Sequence, residues 1–147
     1  MSSYVPAILR RLVFERANDI CEYCLISCHD TYLKCVVEHI IAEKHGGPTV
    51  ADNLASACYP CNIFKGTDIA SLTSEKRQLF RLFNPRTDRW LDHFKLDGAI
   101  IRPLTEIGDV TVQLLSVNNA DRLELREILQ AKTRYPSLAA QRHLGRE

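Results

Sequence analysis

The cysteines of this chain include two closely spaced pairs. Cys21 and Cys24 form one pair and Cys58 and Cys61 the other, and two residues separate the members of each pair. This spacing lets both thiolates of a pair turn toward one ion, and four thiolates are a ligand set that tetrahedral zinc prefers. Because four sulfurs leave no position for water, the spacing predicts a structural zinc site. Two disulfides or unrelated thiols are the alternative interpretation.

The segment between the two pairs is unusually long for a zinc-binding motif. Residues 25–57 separate the pairs, whereas the gap in zinc ribbons is roughly 15–20 residues. We therefore expect an inserted structural unit, held at both ends by the metal. Two more cysteines, Cys28 and Cys35, lie within this segment but outside the paired spacing. We interpret them as ordinary small residues that are buried or half-buried.

Side chains suited to hydrolysis lie inside this segment and just beyond it. Glu38 and His39 are adjacent, and Asn62 directly follows Cys61. A histidine can activate water near neutral pH. A carboxylate and an amide offer the oxygen ligands that a hard divalent cation requires. These groups together are what phosphodiester hydrolysis needs, although a structural role for His39 remains the alternative.

The adjacency of Glu38 and His39 raises a geometric condition. Neighbouring side chains of a regular strand point to opposite faces, so the two residues cannot both face one phosphate from a straight strand. Use of Glu38 as a metal ligand therefore requires the strand to bend or end at these residues. If they lie within the strand with opposed side chains, Glu38 is not a ligand.

The pattern of apolar residues predicts an α+β fold. We expect a helix over residues 6–18, with Ile8, Leu9, Leu12 and Val13 on its buried face. The β-branched run of residues 34–41 predicts a strand, and residues 45–49 a turn before a second strand near 52–57. A helix over about 60–70 completes a β-hairpin followed by a helix.

The rest of the chain predicts mainly helices. We expect helices over residues 74–83, 105–117 and 120–134, the last carrying the apolar residues Leu123, Leu125, Ile128 and Leu129. Residues 93–96 and 99–102, joined at Asp97-Gly98, predict a small hairpin. Trp90 and Phe94 are expected to be core residues. We expect a single domain over residues 1–147.

The motifs as a set resemble the zinc-binding branch of the HNH endonucleases. The resemblance rests on Cys21-x-x-Cys24, Val37-Glu38-His39-Ile40, Gly46-Gly47-x-Thr49, Asp52-Asn53-Leu54 and Cys58-x-x-Cys61-Asn62-x-x-Lys65-Gly66. It implies a ββα-metal (His-Me finger) core at about 18–70, stapled by the zinc site, with a C-terminal extension at about 71–147. Residues 83–86, 90–94 and 104–108 extend the resemblance into that part of the chain.

The same resemblance assigns roles to residues. It implies that His39 is the general base, that Asn53 braces the loop and orients His39, and that Glu38 and Asn62 hold a catalytic Mg²⁺ or Mn²⁺. Hydrolysis of DNA would then leave a 5′-phosphate and a 3′-hydroxyl. The alternative function is a zinc-stabilised nucleic-acid-binding module without catalytic activity.

Charge gives limited information about partners. The net charge is +1, so attraction of DNA would require a local basic patch. The best candidate is the cation-rich segment 71–90, which includes Lys76, Arg77, Arg81 and Arg86, with Lys65 as a further phosphate contact. An ordinary solvated surface is the alternative. The absence of a long apolar run and of a signal peptide leads us to expect a cytoplasmic protein without membrane contact. The oligomeric state is not indicated.

Overall fold

The computed structural model describes residues 4–147, so the first three residues of the expected domain lie outside the described part. The helices are α1 (Ala7–Arg16), α2 (Tyr59–Lys65), α3 (Trp90–His93), α4 (Glu106–Leu114), α5 (Ala120–Ala131) and α6 (Leu138–Arg146). The strands are β1 (Val36–His39), β2 (Leu54–Ala57), β3 (Ala70–Leu72), β4 (Leu79–Arg81), β5 (Phe94–Asp97) and β6 (Ile100–Pro103). These elements form three two-stranded antiparallel sheets.

The first sheet and the helix after it form the predicted ββα unit. β1 pairs with β2 in antiparallel register, with Val36 opposite Ala57 and His39 opposite Leu54. The helix α2 begins directly after Cys58, and Pro60 lies in its first turn, where a missing backbone N–H costs nothing. It ends at Gly66, earlier than the sequence predicts. The α+β class and the ββα core are thus confirmed.

The helix α1 covers this sheet, but its buried face is narrower than predicted. Val13 is fully buried against Leu54, and Leu9 packs beside it. In contrast, Ile8 is 79% exposed and Leu12 is 41% exposed, so their predicted burial is wrong. A single helix lying on two strands has room to bury about one position per turn. Arg16 fixes the end of the helix by donating to the carbonyls of Ala51 and Leu54 at 2.7 and 2.6 Å.

The helix predicted over residues 74–83 is wrong, because this segment belongs to the β3–β4 hairpin. Ala70 pairs with Arg81 and Leu72 with Leu79. The turn is closed by Thr73, whose N–H donates to the Gln78 carbonyl at 2.9 Å. Asp109 of α4 accepts hydrogen bonds from the N–H and hydroxyl of Ser74. The hairpin is therefore held by a helix that lies more than thirty residues further along the chain.

The C-terminal elements agree more closely with prediction. β5 and β6 form the expected hairpin, and Thr105 caps α4 by accepting from the Gly108 N–H at 3.0 Å. α5 is confirmed, but Leu125 and Ile128 on it are exposed, whereas Arg126 is 1% exposed. α6 was not predicted.

One buried cluster joins the cysteine pairs to aromatic residues of the C-terminal extension. Trp90 and Phe94 belong to it, as predicted, and the Trp90 indole donates to the Tyr23 carbonyl at 2.9 Å. The Tyr135 hydroxyl donates to the Cys24 carbonyl at 2.7 Å. Among residues 4–147, no helix combines the length and the apolar character that a membrane span requires.

Cys28 and Cys35 form a disulfide. Cys35 is buried and Cys28 half-buried, as expected, but their interpretation as ordinary residues missed this bond. The bond closes the loop that connects the first cysteine pair to β1, with the two Cα atoms 5.5 Å apart. Sequence spacing did not indicate it, because seven residues of separation fit no recurrent motif.

Candidate active site and metal centre

The four paired cysteines converge on one buried point. The Sγ atoms of Cys21, Cys24, Cys58 and Cys61 all lie within 4.8 Å of one another, and each residue is buried. The first pair is on a tight turn, closed by the Leu25 N–H donating to the Cys21 carbonyl at 2.9 Å. The second pair lies at the start of α2. Four buried soft ligands at this spacing fit a structural zinc ion, as predicted.

Arg122 of α5 adds a cation to this cysteine cluster. Its Nη2 donates to the Cys61 Sγ at 2.8 Å and lies 3.6 Å from the Cys58 Sγ. Burial opposes the charged form of Arg122, but the thiolates of Cys61, Cys24 and Cys58 raise the pKa of the guanidinium overall. Sequence analysis missed this residue because it lies 61 positions from Cys61 and belongs to no motif.

Glu38 is buried in an ion-paired network. Its Oε1 lies 2.5 Å from the Lys65 Nζ, and its Oε2 accepts from the Tyr23 hydroxyl at 2.6 Å. Glu38 is only 3% exposed. Burial raises the pKa of its carboxyl, while the neighbouring Lys65 and Tyr23 oppose that rise.

The end of the strand bears on this position. Glu38 and His39 pair with Ala55 and Leu54, and β1 ends at His39, so the condition that the strand bend or end at these residues is met. Both residues belong to the lining of one groove. The Glu38 carboxylate is ion-paired with Lys65, so its role as a ligand of a catalytic cation stays a prediction that requires this pair to open.

Lys65 is likewise a buried residue and not a phosphate contact. It is 1% exposed, and its Nζ donates to the carbonyls of Ile40 and His39 at 2.9 and 3.3 Å, besides pairing with Glu38. A side chain at such a position is not accessible to DNA. Its prediction as a nucleic-acid-binding residue is therefore wrong.

His39 lies at the end of β1, where the loop from residue 40 to residue 53 returns toward it. Its Nε2 is 2.9 Å from the Thr49 Oγ1 and 3.4 Å from the Glu43 Oε1. The side chain of His39 retains 14% exposure. The histidine is therefore held on one edge by the loop while it stays accessible to solvent.

Asn53 holds that loop. Its Oδ1 accepts from the Ile41 N–H, and its Nδ2 donates to the carbonyls of Ile41 and Pro48, all at 2.9 Å. A side chain on Gly47 would lie 1.7 Å from the Ile41 carbonyl oxygen, so the loop closes tightly only because this residue is glycine. These contacts agree with the bracing role expected for Asn53. Its effect on His39 remains a prediction.

Asn62 shares an open groove with His39. The groove has a volume of about 790 Å³, and its lining includes Glu38, His39, Glu43, Asn62, Gly66 and Thr67. The side chain of Asn62 is partly exposed. The side chain is thus accessible from solvent, and its role as a metal ligand stays a prediction.

The predicted basic surface carries less free charge than the sequence indicates. Arg86 is bound to the buried carboxylate of Glu22, which contradicts its use as a DNA contact. Arg81 pairs with Asp88 through two hydrogen bonds of 2.7 and 2.9 Å. Lys76 and Arg77 are exposed in the turn between β3 and β4. These two residues remain the best candidates for contact with nucleic acid.

Comparison with known proteins places this geometry in context. Residues 21–68 match the family model described as HNH endonuclease. The chain is 27% identical over 117 residues to the Septu protein PtuB of Bacillus thuringiensis, a match that covers 78% of this chain and 43% of that protein. The chain therefore corresponds to less than half of that relative's length. No solved structure matches the chain significantly.

Proposed function

Because the chain carries an HNH endonuclease segment at residues 21–68, we propose that it hydrolyses the phosphodiester bonds of DNA. The observation that carries the proposal is that His39 and Asn62 line one open groove beside the cysteine cluster. The zinc site would fix the start of α2 and so the position of Asn62. A binding module would need neither a histidine nor an amide in this place.

In this proposal His39 is the general base. It would take a proton from a water molecule that attacks phosphorus, leaving a 5′-phosphate and a 3′-hydroxyl. Asn62 would offer its amide oxygen to Mg²⁺ or Mn²⁺ in the groove. Such an ion supplies charge neutralisation at the phosphate. Glu38 would join the ligand set only if its pair with Lys65 opened, and otherwise substrate oxygens and water would complete the set, as is usual for Mg²⁺.

The burial of Glu38 favours a second candidate function. Glu38 belongs to the lining of the groove, but its carboxylate is bound to Lys65 and Tyr23 and is not free to hold a cation while these contacts last. A protein with an incomplete cation site would bind nucleic acid without cutting it. The second candidate is therefore a zinc-stabilised nucleic-acid-binding module.

Plasmid nicking distinguishes the two functions. Supercoiled plasmid is incubated with the protein and Mg²⁺ or Mn²⁺, and the nicked and linear forms are quantified on gels. We expect His39→Ala to lower the initial rate by roughly 10²–10⁴-fold, the usual contribution of a general base. His29→Ala is the matched control, because the His29 side chain is 75% exposed and does not belong to the lining of the groove.

Two results would contradict the nuclease proposal. One is equal nicking by the unmodified protein and His39→Ala, which would assign the activity to a contaminant or to another site. The other is the absence of nicking with both metals on double-stranded and single-stranded DNA. Binding of the same DNA without nicking would support the second candidate.

A further inference from the structure

We propose that Thr49 is a positioning residue for His39, with Glu43 as a second acceptor, and that Nδ1 is therefore the nitrogen that receives the proton. This inference rests on the proposed function, since it names the atom through which His39 would act. It starts from the contacts of Nε2, which lies 2.9 Å from the Thr49 Oγ1 and 3.4 Å from the Glu43 Oε1.

The chemistry of these two neighbours determines which nitrogen carries the proton. A hydroxyl can donate or accept, but an ionised carboxylate can only accept. A lone pair on Nε2 would face the Glu43 carboxylate, whereas an N–H there is attracted by both oxygens. The arrangement therefore favours the tautomer with the proton on Nε2 and a lone pair on Nδ1.

The other ring nitrogen is left for the reaction. The contacts of the His39 ring with Thr49 and Glu43 both use Nε2, and His39 lines the groove. When water attacks phosphorus, its proton would move to Nδ1, the new P–O bond would form and the P–O3′ bond would break. The 3′ oxygen would take a proton from solvent. The imidazolium would then be stabilised by the Glu43 carboxylate.

The loop that carries Thr49 is built to hold it in place. Thr49 follows Pro48, whose carbonyl accepts from the Asn53 amide at 2.9 Å. Gly47, which precedes Pro48, packs closely against the Ile41 carbonyl. A Thr49 hydroxyl held in this way keeps His39 in its reactive orientation. Small displacements of a catalytic group lower the reaction rate strongly.

The tautomer can be read directly by NMR. In a ¹⁵N-labelled sample, long-range ¹H–¹⁵N spectra are recorded at a pH high enough to keep the imidazoles neutral, and the signal that disappears in His39→Gln is assigned to His39. We expect protonated Nε2 and unprotonated Nδ1. Thr49→Val combined with Glu43→Ala should raise the population with protonated Nδ1. A proton on Nδ1 in the unmodified protein would overturn the inference.

Kinetics provide the second test. Thr49→Val keeps the shape of the side chain but removes the hydroxyl, and we expect kcat to fall at least tenfold with KM changed less than twofold. Thr49→Ser restores the hydroxyl and should retain most of the rate. Thr87→Val is the matched control, since Thr87 is exposed and does not belong to the lining of the groove.

The possible results separate this inference from the proposed function. Cleavage by the unmodified protein, together with a Thr49→Val variant of equal kcat and unchanged tautomer, would overturn the positioning role alone. Absence of cleavage would remove the proposed function, and the tautomer measurement would still decide whether Thr49 and Glu43 orient His39.

Discussion

The side chains of Glu38 and His39 differ in role although they are adjacent in sequence. The carboxylate of Glu38 is buried in an ion pair, whereas the ring of His39 stays partly exposed, although both residues belong to the lining of the groove. The buried carboxylate is accompanied by the Lys65 ammonium, because an isolated charge in the interior is costly. Lys65 also binds the carbonyl of His39 at 3.3 Å, so the buried pair anchors the backbone of the candidate base.

Loss of one partner of this pair should destabilise the protein more than loss of both charges. We expect Lys65→Met to lower the free energy of unfolding by about 3–5 kcal/mol, since it leaves the Glu38 charge buried and unpaired. Glu38→Gln with Lys65→Met removes both charges and should recover part of that loss. Urea unfolding followed by the fluorescence of the single tryptophan, buried Trp90, measures both.

The comparison of single and double variants is the control for lost packing. If Lys65→Met and the double variant lower the free energy of unfolding by the same amount, the ion pair has no specific electrostatic role. If Lys65→Met unfolds at the same urea concentration as the unmodified protein, the buried network is not what holds the end of β1.

At the scale of elements, α5 joins the C-terminal extension to the cysteine cluster. Its first turn is capped by Asn119, which accepts from the Arg122 N–H at 3.0 Å. That cap places the Arg122 guanidinium on the sulfurs of Cys61 and Cys58. Four thiolates around one divalent zinc leave an excess of negative charge, which a buried cation would offset. The extension thus contributes to the metal site itself.

Arg122 should slow the loss of zinc. We expect Arg122→Gln to release zinc to a chromogenic chelator roughly tenfold faster or more, in line with the effect of groups that contact metal ligands. Arg126→Gln is the matched control. Arg126 is a buried arginine one turn along the same helix, but it binds the Ala99 and Val117 carbonyls and Asn118 instead of sulfur. Equal release rates for both folded variants would contradict this role of Arg122.

At the scale of the whole molecule, charge pairing limits the surface available to DNA. The net charge is +1, and internal pairs remove Lys65 and Arg86 from the predicted basic set. Arg81 shares its charge with Asp88. The free cations of that set are thus confined to the turn between β3 and β4. Binding would depend on a few contacts and would be sensitive to salt.

Removal of the charges in the turn between β3 and β4 tests whether this turn contacts DNA. We expect Lys76→Gln with Arg77→Gln to weaken binding to a short duplex, and to lower the slope of log affinity against log salt by about 2 if each residue contacts one phosphate. Arg142→Gln, exposed on α6, removes a cation outside the predicted surface and should change the slope less. An unchanged slope in the double variant would place the DNA elsewhere on the molecule.

The sequence by itself determined those features that depend on local spacing. Two C-x-x-C pairs define their own ligand geometry, so the cysteine cluster was predictable. The β-branched run before His39 and the turn residues after it define the hairpin, and the apolar pattern defines α4 and α5. His39, Asn53 and Asn62 were recognisable because the family pattern depends on their spacing from the cysteines.

Only the tertiary structure decided which partners distant residues have. Residues 74–83 carry apolar positions compatible with a helix or with strands, and their contacts with α4 favour the hairpin. The carboxylate of Glu38 is paired with Lys65 of α2. The partners of Lys65, Arg86, Arg122 and the Cys28–Cys35 disulfide come from other elements. No local pattern encodes such pairings, because they depend on how the elements pack.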